Sequence, residues 1–340
     1  MLLQKIYDNL TPLKKQSEVI RREAQRYVEK VTYPMNIVQI QKVKPYTLID
    51  SLIGMELNIH EENIINCCVV NDLACRAITS ADDLIDDCPD SLSEFKIDSK
   101  SKKVMYYIAG SVGYLQGFNY ALQDHIRRGD ISFSDMNRIF ETFNRMAYTA
   151  LQGVFWEQEN KITMEHIKKM LKFDYSCIKS VDELIKERAD KTGGEFFSWF
   201  SNLFHPYFGT DAKTTEILED ALFFLGRIFQ EYDDVRDAFE DMTRGTPNFL
   251  VSLIMEHGSQ QDKKKFVKLL RSYYGKGYEG NEEIEKILNL FPSCKPSFEE
   301  ITKTDTKKVV EKLKCVGIDT STEDIHLINI HYKNLRKLLM

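Results

Sequence analysis

Apolar residues recur at helical spacing along most of this chain, and the pattern predicts a succession of helices. Residues 1–33 read as an amphipathic helix or helix pair, with the charged Arg21-Arg22-Glu23 in the middle. Helical runs follow at Tyr46 to Leu57, Val69 to Thr79 and Val104 to Leu122, the last with Ala109, Gly110 and Gly113 for close helix approach. Phe133 to about Glu159 and Met164 to Lys186 read as two more. The next carries Lys191-Thr192-Gly193-Gly194; a glycine pair costs a helix roughly 1–2 kcal/mol against alanine, so a local break turning Thr192 inward is expected. Phe196, Phe197, Trp199 and Phe200 read mainly as core. Lys96 to Lys103 reads as a mobile basic loop, and residues 251–340 alternate helical patterns with polar loops. The expected fold is all-α.

Composition narrows the class. With 340 residues, 43% of them hydrophobic, and no Pro-, Gly- or Ser-rich linker, one large domain is expected, 1–340, with an N-terminal helical segment (1–35) and C-terminal helices (260–340). Eight prolines and 16 glycines suit long helices. A net charge of −6 argues against a nucleic-acid partner. No apolar run is read as a membrane span and no signal-peptide core is seen, so a cytoplasmic protein is expected. The seven cysteines lack metal spacing and the seven histidines form no HExxH pair. Catalysis therefore falls to carboxylates.

Two carboxylate clusters stand out. Asp233, Asp234 and Asp237 follow the apolar Leu222-Phe223-Phe224-Leu225, and Asp82, Asp83 and Asp86 follow the apolar run from Val69. At i, i+1 and i+4 each trio shares a helix face, and like charges that close call for a cation. Hard oxygen donors suit Mg²⁺, which takes one or two carboxylates plus substrate phosphates. Facing each other across a cavity, the clusters would hold several Mg²⁺ ions against a diphosphate.

Gly226 to Asp237 matches G-x-x-F-Q-x-x-D-D-x-x-D at every specified position, Gln230 included, and Asp82 to Asp86 match D-D-x-x-D. On these residues the chain resembles the trans-isoprenyl diphosphate synthases and the class I terpene synthases related to them. Arg188-Ala189-Asp190-Lys191-Thr192-Gly193 looks like the family's K-T segment, whose lysine contacts the substrate diphosphate. The resemblance implies a helical bundle around a central cavity, often a homodimer, with about three Mg²⁺ ions and an isoprenyl diphosphate substrate. It places Arg188, Lys191, Thr192, Gln230 and Arg244 at the substrate, and only weakly Glu157, from a partial G-Q-x-x-D/E match. Arg244 stands nearest the lysine of a shortened D-L-x-x-G-K segment and doubles as a helix-end residue beside Gly245.

The departures concern the second substrate. Chain-elongating members carry G-G-K-R-x-R-P; here Lys42, Lys44 and Pro45 keep three places, both glycines are gone and Gln41 replaces the lysine. Lysine offers a point charge where arginine offers a fork. The R-R-G that follows the first cluster in those enzymes has no arginine counterpart in residues 87–94. These losses tilt the reading toward a terpene synthase that ionises an allylic diphosphate and cyclises or rearranges the cation. Alternatives are a chain-elongating prenyltransferase, a prenyltransferase with an unusual acceptor, and a silent regulatory subunit. Ala77 and Ile78 would floor the chain pocket without an aromatic plug, which implies a C15 or longer chain, C20 favoured.

Overall fold

The computed structural model describes residues 10–32, 40, 42–44, 47–86, 100–274, 283–326 and 329, the side chains of 82–86 and 100–107 excepted. Every regular element among them is helical. Helix α1 (Leu10–Thr32) buries Leu13, Ile20, Ala24, Tyr27 and Val28 and leaves Glu18, Arg22 and Glu29 in solvent. Helix α2 (Thr47–Glu56) leads to α3 (Glu61–Asp86), whose residues from Asn66 to Ala77 are all buried. A helix covered on all sides is the core of the bundle. By length and composition Glu61–Ala81 is apolar enough to cross a bilayer, which corrects the expectation that no stretch qualifies; 83% of that window is buried within the fold.

Helix α4 (Lys100–Arg128) packs along α3 and α1. It starts earlier than the sequence suggests, so the basic stretch is helical from Lys100 onward, while 96–99 lie outside the described residues. The close approach expected at Gly110 falls elsewhere. A Cβ there would meet nothing nearer than 3.8 Å, whereas one at Gly117 would sit 3.2 Å from Val28 and 3.4 Å from Leu73.

Helix α5 (Phe133–Glu159) begins where expected because Ser132 and Asp135 form a reciprocal capping box. The single helix expected from Met164 to Lys186 is divided. Helix α6 (Met164–Met170) ends in a turn where Phe173 takes a φ of 64°, and Ser180 caps α7 (Val181–Leu184). From there a π-helix (Ile185–Gly194) runs straight into α8 (Glu195–Ser198). The glycine pair thus widens the helix rather than breaking it, and π-turns often mark functional sites. Their lack of Cβ has a second use: a Cβ on Gly193 would lie 2.3 Å from the Gly226 carbonyl oxygen, and one on Gly226 2.1 Å from that of Gly193. Backbone meets backbone here.

Helix α9 (Ser201–Phe208) and α10 (Ala212–Arg236) follow, then α11 (Ala238–Arg244), which ends at Gly245 in the left-handed conformation as expected of a C-cap. Asn248 caps α12 (Phe249–His257), and α13 (Gln260–Tyr273), α14 (Ile284–Leu290) and α15 (Lys295–Cys315) complete the described chain. One hydrophobic cluster runs from Ile20 to Ile325. The cysteines among the described residues are free thiols.

Candidate active site

Helices α3 and α10 both finish in aspartates. Asp82, Asp83 and Asp86 occupy the last two turns of α3, and Asp233 and Asp234 the last turn of α10 with Asp237 as its C-cap. The carbonyl end of a helix already carries partial negative charge, so acids there are unfavourable until a cation arrives. The side chains of 82–86 lie outside the described residues; the second cluster is seen in full.

Between the two helices lies a cavity of about 130 Å³, lined by Ile78 and Thr79 of α3, Ala150, Leu151 and Val154 of α5, Thr192 of the π-helix, Phe196 of α8 and Gln230 of α10. Thr79 precedes Asp82 by three residues and Gln230 precedes Asp233 by three. Each acidic cluster therefore continues its helix one turn beyond the cavity wall. The walls are chiefly apolar, and the Thr79 hydroxyl is buried with no hydrogen-bond partner. Of the two expected floor residues, Ile78 lines the cavity, while Ala77 is buried and its carbonyl accepts from the Ser111 hydroxyl at 2.9 Å. An aromatic ring does wall the cavity, Phe196 from α8, in edge contact with Phe200.

The three aspartates of the second cluster are not equivalent. Asp234 is 3% exposed. Its Oδ1 accepts from Gln230 Nε2 at 2.9 Å, and its Oδ2 from Arg188 Nη1 at 2.9 Å and the Phe249 amide at 2.8 Å. Asp233 has a side chain 37% exposed, with the Arg236 guanidinium at 2.6 Å, and Asp237 is half-buried. Asp233 and Asp237 thus fit a Mg²⁺ that keeps most of its waters. Asp234, expected to join them, carries three hydrogen bonds and is the most enclosed of the three. Among the described residues no three His, Cys, Asp or Glu side chains converge as a metal cage.

The structure sets Arg188 among carboxylates. Besides Asp234 it approaches Glu157 (Nε to Oε2, 3.4 Å) and Asp241 (4.0 Å), and it donates to the Pro247 carbonyl at 2.7 Å. Burial alone would lower its pKa, yet Asp234, Glu157 and Asp241 together raise it. Burial raises the carboxyl pKa of Asp234 against the pull of Arg188, and raises that of Asp241 well above the usual range. Asn248 joins in, its amide donating to the Asp234 carbonyl at 2.6 Å and to Asp241 at 2.7 Å. Sequence reading missed Asp241 and Asn248 as partners; the seven-residue step from Asp234 to Asp241, two helical turns, was the available signal.

Thr192 lines the cavity, its hydroxyl 2.9 Å from the Arg188 carbonyl and 3.3 Å from Gln230 Oε1. Lys191 does not line it; its ammonium pairs with Glu187 at 2.5 Å. Arg244 pairs with Glu240 at 2.6 Å, one turn earlier on α11. Lys42 and Lys44 are held by their backbone. The Lys44 amide donates to Asp72 at 2.7 Å, and Arg76, paired with Asp72 at 2.7 Å, donates to the Lys42 carbonyl. The buried Asp72 and Arg76 of α3, four residues apart, were also missed, and their i, i+4 spacing was the signal. Gln41 and Pro45 lie outside the described residues.

No family model and no curated protein matches the sequence. Solved structures do. A geranylgeranyl pyrophosphate synthetase from Pyrococcus horikoshii shares 17% identity at a TM-score of 0.59, covering 96% of this chain and 98% of that one. A polyprenyl synthetase from Streptomyces coelicolor A3(2) shares 13% at 0.60, covering 95% and 99%, and an octaprenyl pyrophosphate synthase from Helicobacter pylori 16% at 0.57, covering 96% and 98%. The chain has the all-helical fold of these isoprenyl diphosphate synthases over nearly its full length.

Proposed function

We propose that this protein is a Mg²⁺-dependent prenyltransferase that elongates an allylic isoprenyl diphosphate with isopentenyl diphosphate. The observation that carries the reading is the apolar cavity walled by Thr79 and Gln230, each one turn before an acidic cluster, in a fold whose named examples above are chain-elongating synthases. Those names favour elongation over the cyclase reading to which the sequence tilted. The missing arginines of residues 87–94 keep the terpene synthase as the second reading.

Asp82, Asp83, Asp86, Asp233 and Asp237 would hold the Mg²⁺. Bound there, the ions neutralise charge on the departing diphosphate. The chain's own residues do the rest. Ile78, Leu151, Val154 and Phe196 receive the prenyl tail and keep water from the allylic cation. Phe196 offers that cation an aromatic face, worth about 0.5–2 kcal/mol. Thr192 and Gln230 form the polar edge where the tail meets the diphosphate, and Lys42 and Lys44, whose backbone is fixed through Asp72 and Arg76, would supply the positive charge for the second substrate.

Ile108, Val112 and Leu115 of α4 form an exposed apolar stripe at i, i+4 and i+7, with Tyr148 and Phe155 exposed on α5. We propose a homodimer through this surface, expected as a doubled mass in light scattering.

The test of function is incubation with Mg²⁺ and farnesyl or geranylgeranyl diphosphate, with and without isopentenyl diphosphate, read by mass spectrometry. A longer diphosphate formed only when isopentenyl diphosphate is present is expected. A hydrocarbon or alcohol from the allylic diphosphate alone would establish the terpene synthase instead.

A further inference from the structure

The resemblance placed Arg188 at the substrate, yet the structure surrounds its guanidinium with carboxylates of the protein itself. Its guanidinium joins four segments of chain: its own π-helix, Glu157 of α5, Asp234 of α10, and the turn from Asp241 to Pro247 that leads into α12. An arginine fork suits this, because its donors diverge in a fixed plane while lysine has one nitrogen to place. The contact with Asp234 Oδ2 leaves Oδ1 to receive the Gln230 amide, and that bond fixes which way the Gln230 side chain turns. Its carbonyl oxygen is then oriented toward the Thr192 hydroxyl, which also reaches the backbone carbonyl of Arg188 itself. The contacts thus form a circuit from Arg188 through Asp234 and Gln230 to Thr192, whose single hydroxyl proton is shared between Gln230 Oε1 and the Arg188 carbonyl.

Two members of that circuit, Gln230 and Thr192, line the cavity. The close backbone contact of Gly193 with Gly226 holds the π-helix against α10 at the same level. We infer that Arg188 is a positioning residue: acting through Asp234, it sets the orientation of Gln230 and Thr192 at the edge of the cavity where the reacting carbon–oxygen bond of an allylic diphosphate must lie. The inference rests on the proposed function. Within the second cluster Asp234 is turned inward to Arg188, while Asp233 and Asp237 are only part-buried.

A misplacement of about 1 Å can slow a reaction about 100-fold while leaving binding nearly intact. The test compares wild type, Arg188→Met, Arg188→Lys, Gln230→Leu and the Arg188→Met/Gln230→Leu double variant. Turnover of farnesyl diphosphate, with Mg²⁺ and isopentenyl diphosphate present, is measured per folded molecule, and binding of unreactive farnesyl thiodiphosphate is measured by calorimetry. Arg188→Met is expected to lower kcat about 100-fold, with less than about threefold change in KM and in analogue affinity. Arg188→Lys is expected to recover part of that loss, and the double variant to be no slower than the slower single variant within about threefold, because both changes open one circuit. A merely architectural arginine would lower the melting temperature and leave kcat per folded molecule unchanged; that result overturns the inference. So do losses that multiply in the double variant. If Arg188→Met does not fold, Arg188→Lys decides, and wild-type kcat in that variant also overturns it. A wild type that neither turns over farnesyl diphosphate nor binds the analogue defeats the proposed function and this inference together, whereas an active wild type with an indifferent Arg188 defeats this inference alone.

Discussion

The two helices that end in aspartates handle buried charge differently. Inside α3, Asp72 and Arg76 form a matched pair, one carboxylate to one guanidinium, and both Asp72 oxygens are used. Around α10, Glu157, Asp190, Glu231, Asp234, Asp241 and Asp305 gather about Arg188 and Arg227, so carboxylates outnumber guanidiniums. The first arrangement is neutral and fastens the segment bearing Lys42 and Lys44 to the bundle. The second leaves carboxylates in excess around α10. Surplus buried acid costs stability, which a purely architectural helix has no reason to bear. The difference is one of charge matching: α3 uses a neutral pair to anchor the segment bearing Lys42 and Lys44, whereas α10 is packed among more carboxylates than guanidiniums.

The largest test of this contrast is catalytic. Asp82→Ala and Asp233→Ala are each expected to lower Mg²⁺-dependent diphosphate release by about a thousandfold or more, a loss of several kcal/mol. Asp234→Asn should lower the rate less, since its buried carboxylate is bound to Arg188 and Gln230 whereas Asp233 is open to solvent. A phosphate-release assay with folding checked by circular dichroism decides. If Asp234→Asn proves the most damaging of the three while folded, the division within the cluster is wrong.

Next in size is the loss of a buried cation. Arg76→Met leaves Asp72 with no guanidinium in the core and is expected to destabilise by about 3–5 kcal/mol in urea titrations. Arg227→Met should cost less, because Asp305 keeps Lys308 at 3.1 Å. Equal losses would show that the two helices do not differ in how closely their charges are matched.

Much of this was legible in the residues. Helix α5 was readable to its ends because a capping box and an unbroken apolar period agree, and the acidic clusters were readable because their spacing is local. Three things were not. The division of Met164–Lys186 depends on Phe173 adopting a left-handed backbone, which no local pattern announces. The π-helix depends on Gly193 meeting Gly226, residues 33 apart in sequence and forced together only by packing. Identical aspartates have different surroundings because Arg188 reaches one of them from another helix. Sequence spacing gives the face of a helix; it does not tell what the opposite helix brings to that face.

Glycine contacts extend the comparison to a smaller scale. Gly226→Ala would force a Cβ onto the backbone of Gly193, which cannot rotate away, and is expected to destabilise by about 3 kcal/mol. Gly54→Ala, on the α3 side, meets Ile64 Cγ1 at 2.7 Å, and a side chain can adjust. About 1 kcal/mol is expected there. Thermal melts rank the two, and a milder Gly226 variant would mean that the π-helix is not pressed against α10.

The smallest effects lie in pH. Each region holds a buried acid without a cation partner whose pKa burial raises well above the carboxylate range: Asp50, beside α3, and Glu231 of α10. Asp50 has one partner, the Asn71 amide at 2.5 Å, and an orphaned Oδ1; both Glu231 oxygens are orphaned. Asp305, Asp234 and Asp190 raise Glu231 further, and Arg227 opposes them. In the folded protein such a carboxyl keeps its proton at pH values where the unfolded chain has released it. The folded state then binds more protons, so stability is fully present below the ordinary carboxylate pKa and declines as pH rises above it. Glu231→Gln and Asp50→Asn remove that decline. Melting temperatures of both variants should match wild type near pH 4 and exceed it increasingly toward pH 8, with the larger gain for Glu231, which has no hydrogen bond to lose. A gain confined to low pH would reverse the sign of the linkage and place charged carboxylates, held by cations, in the interior of α10.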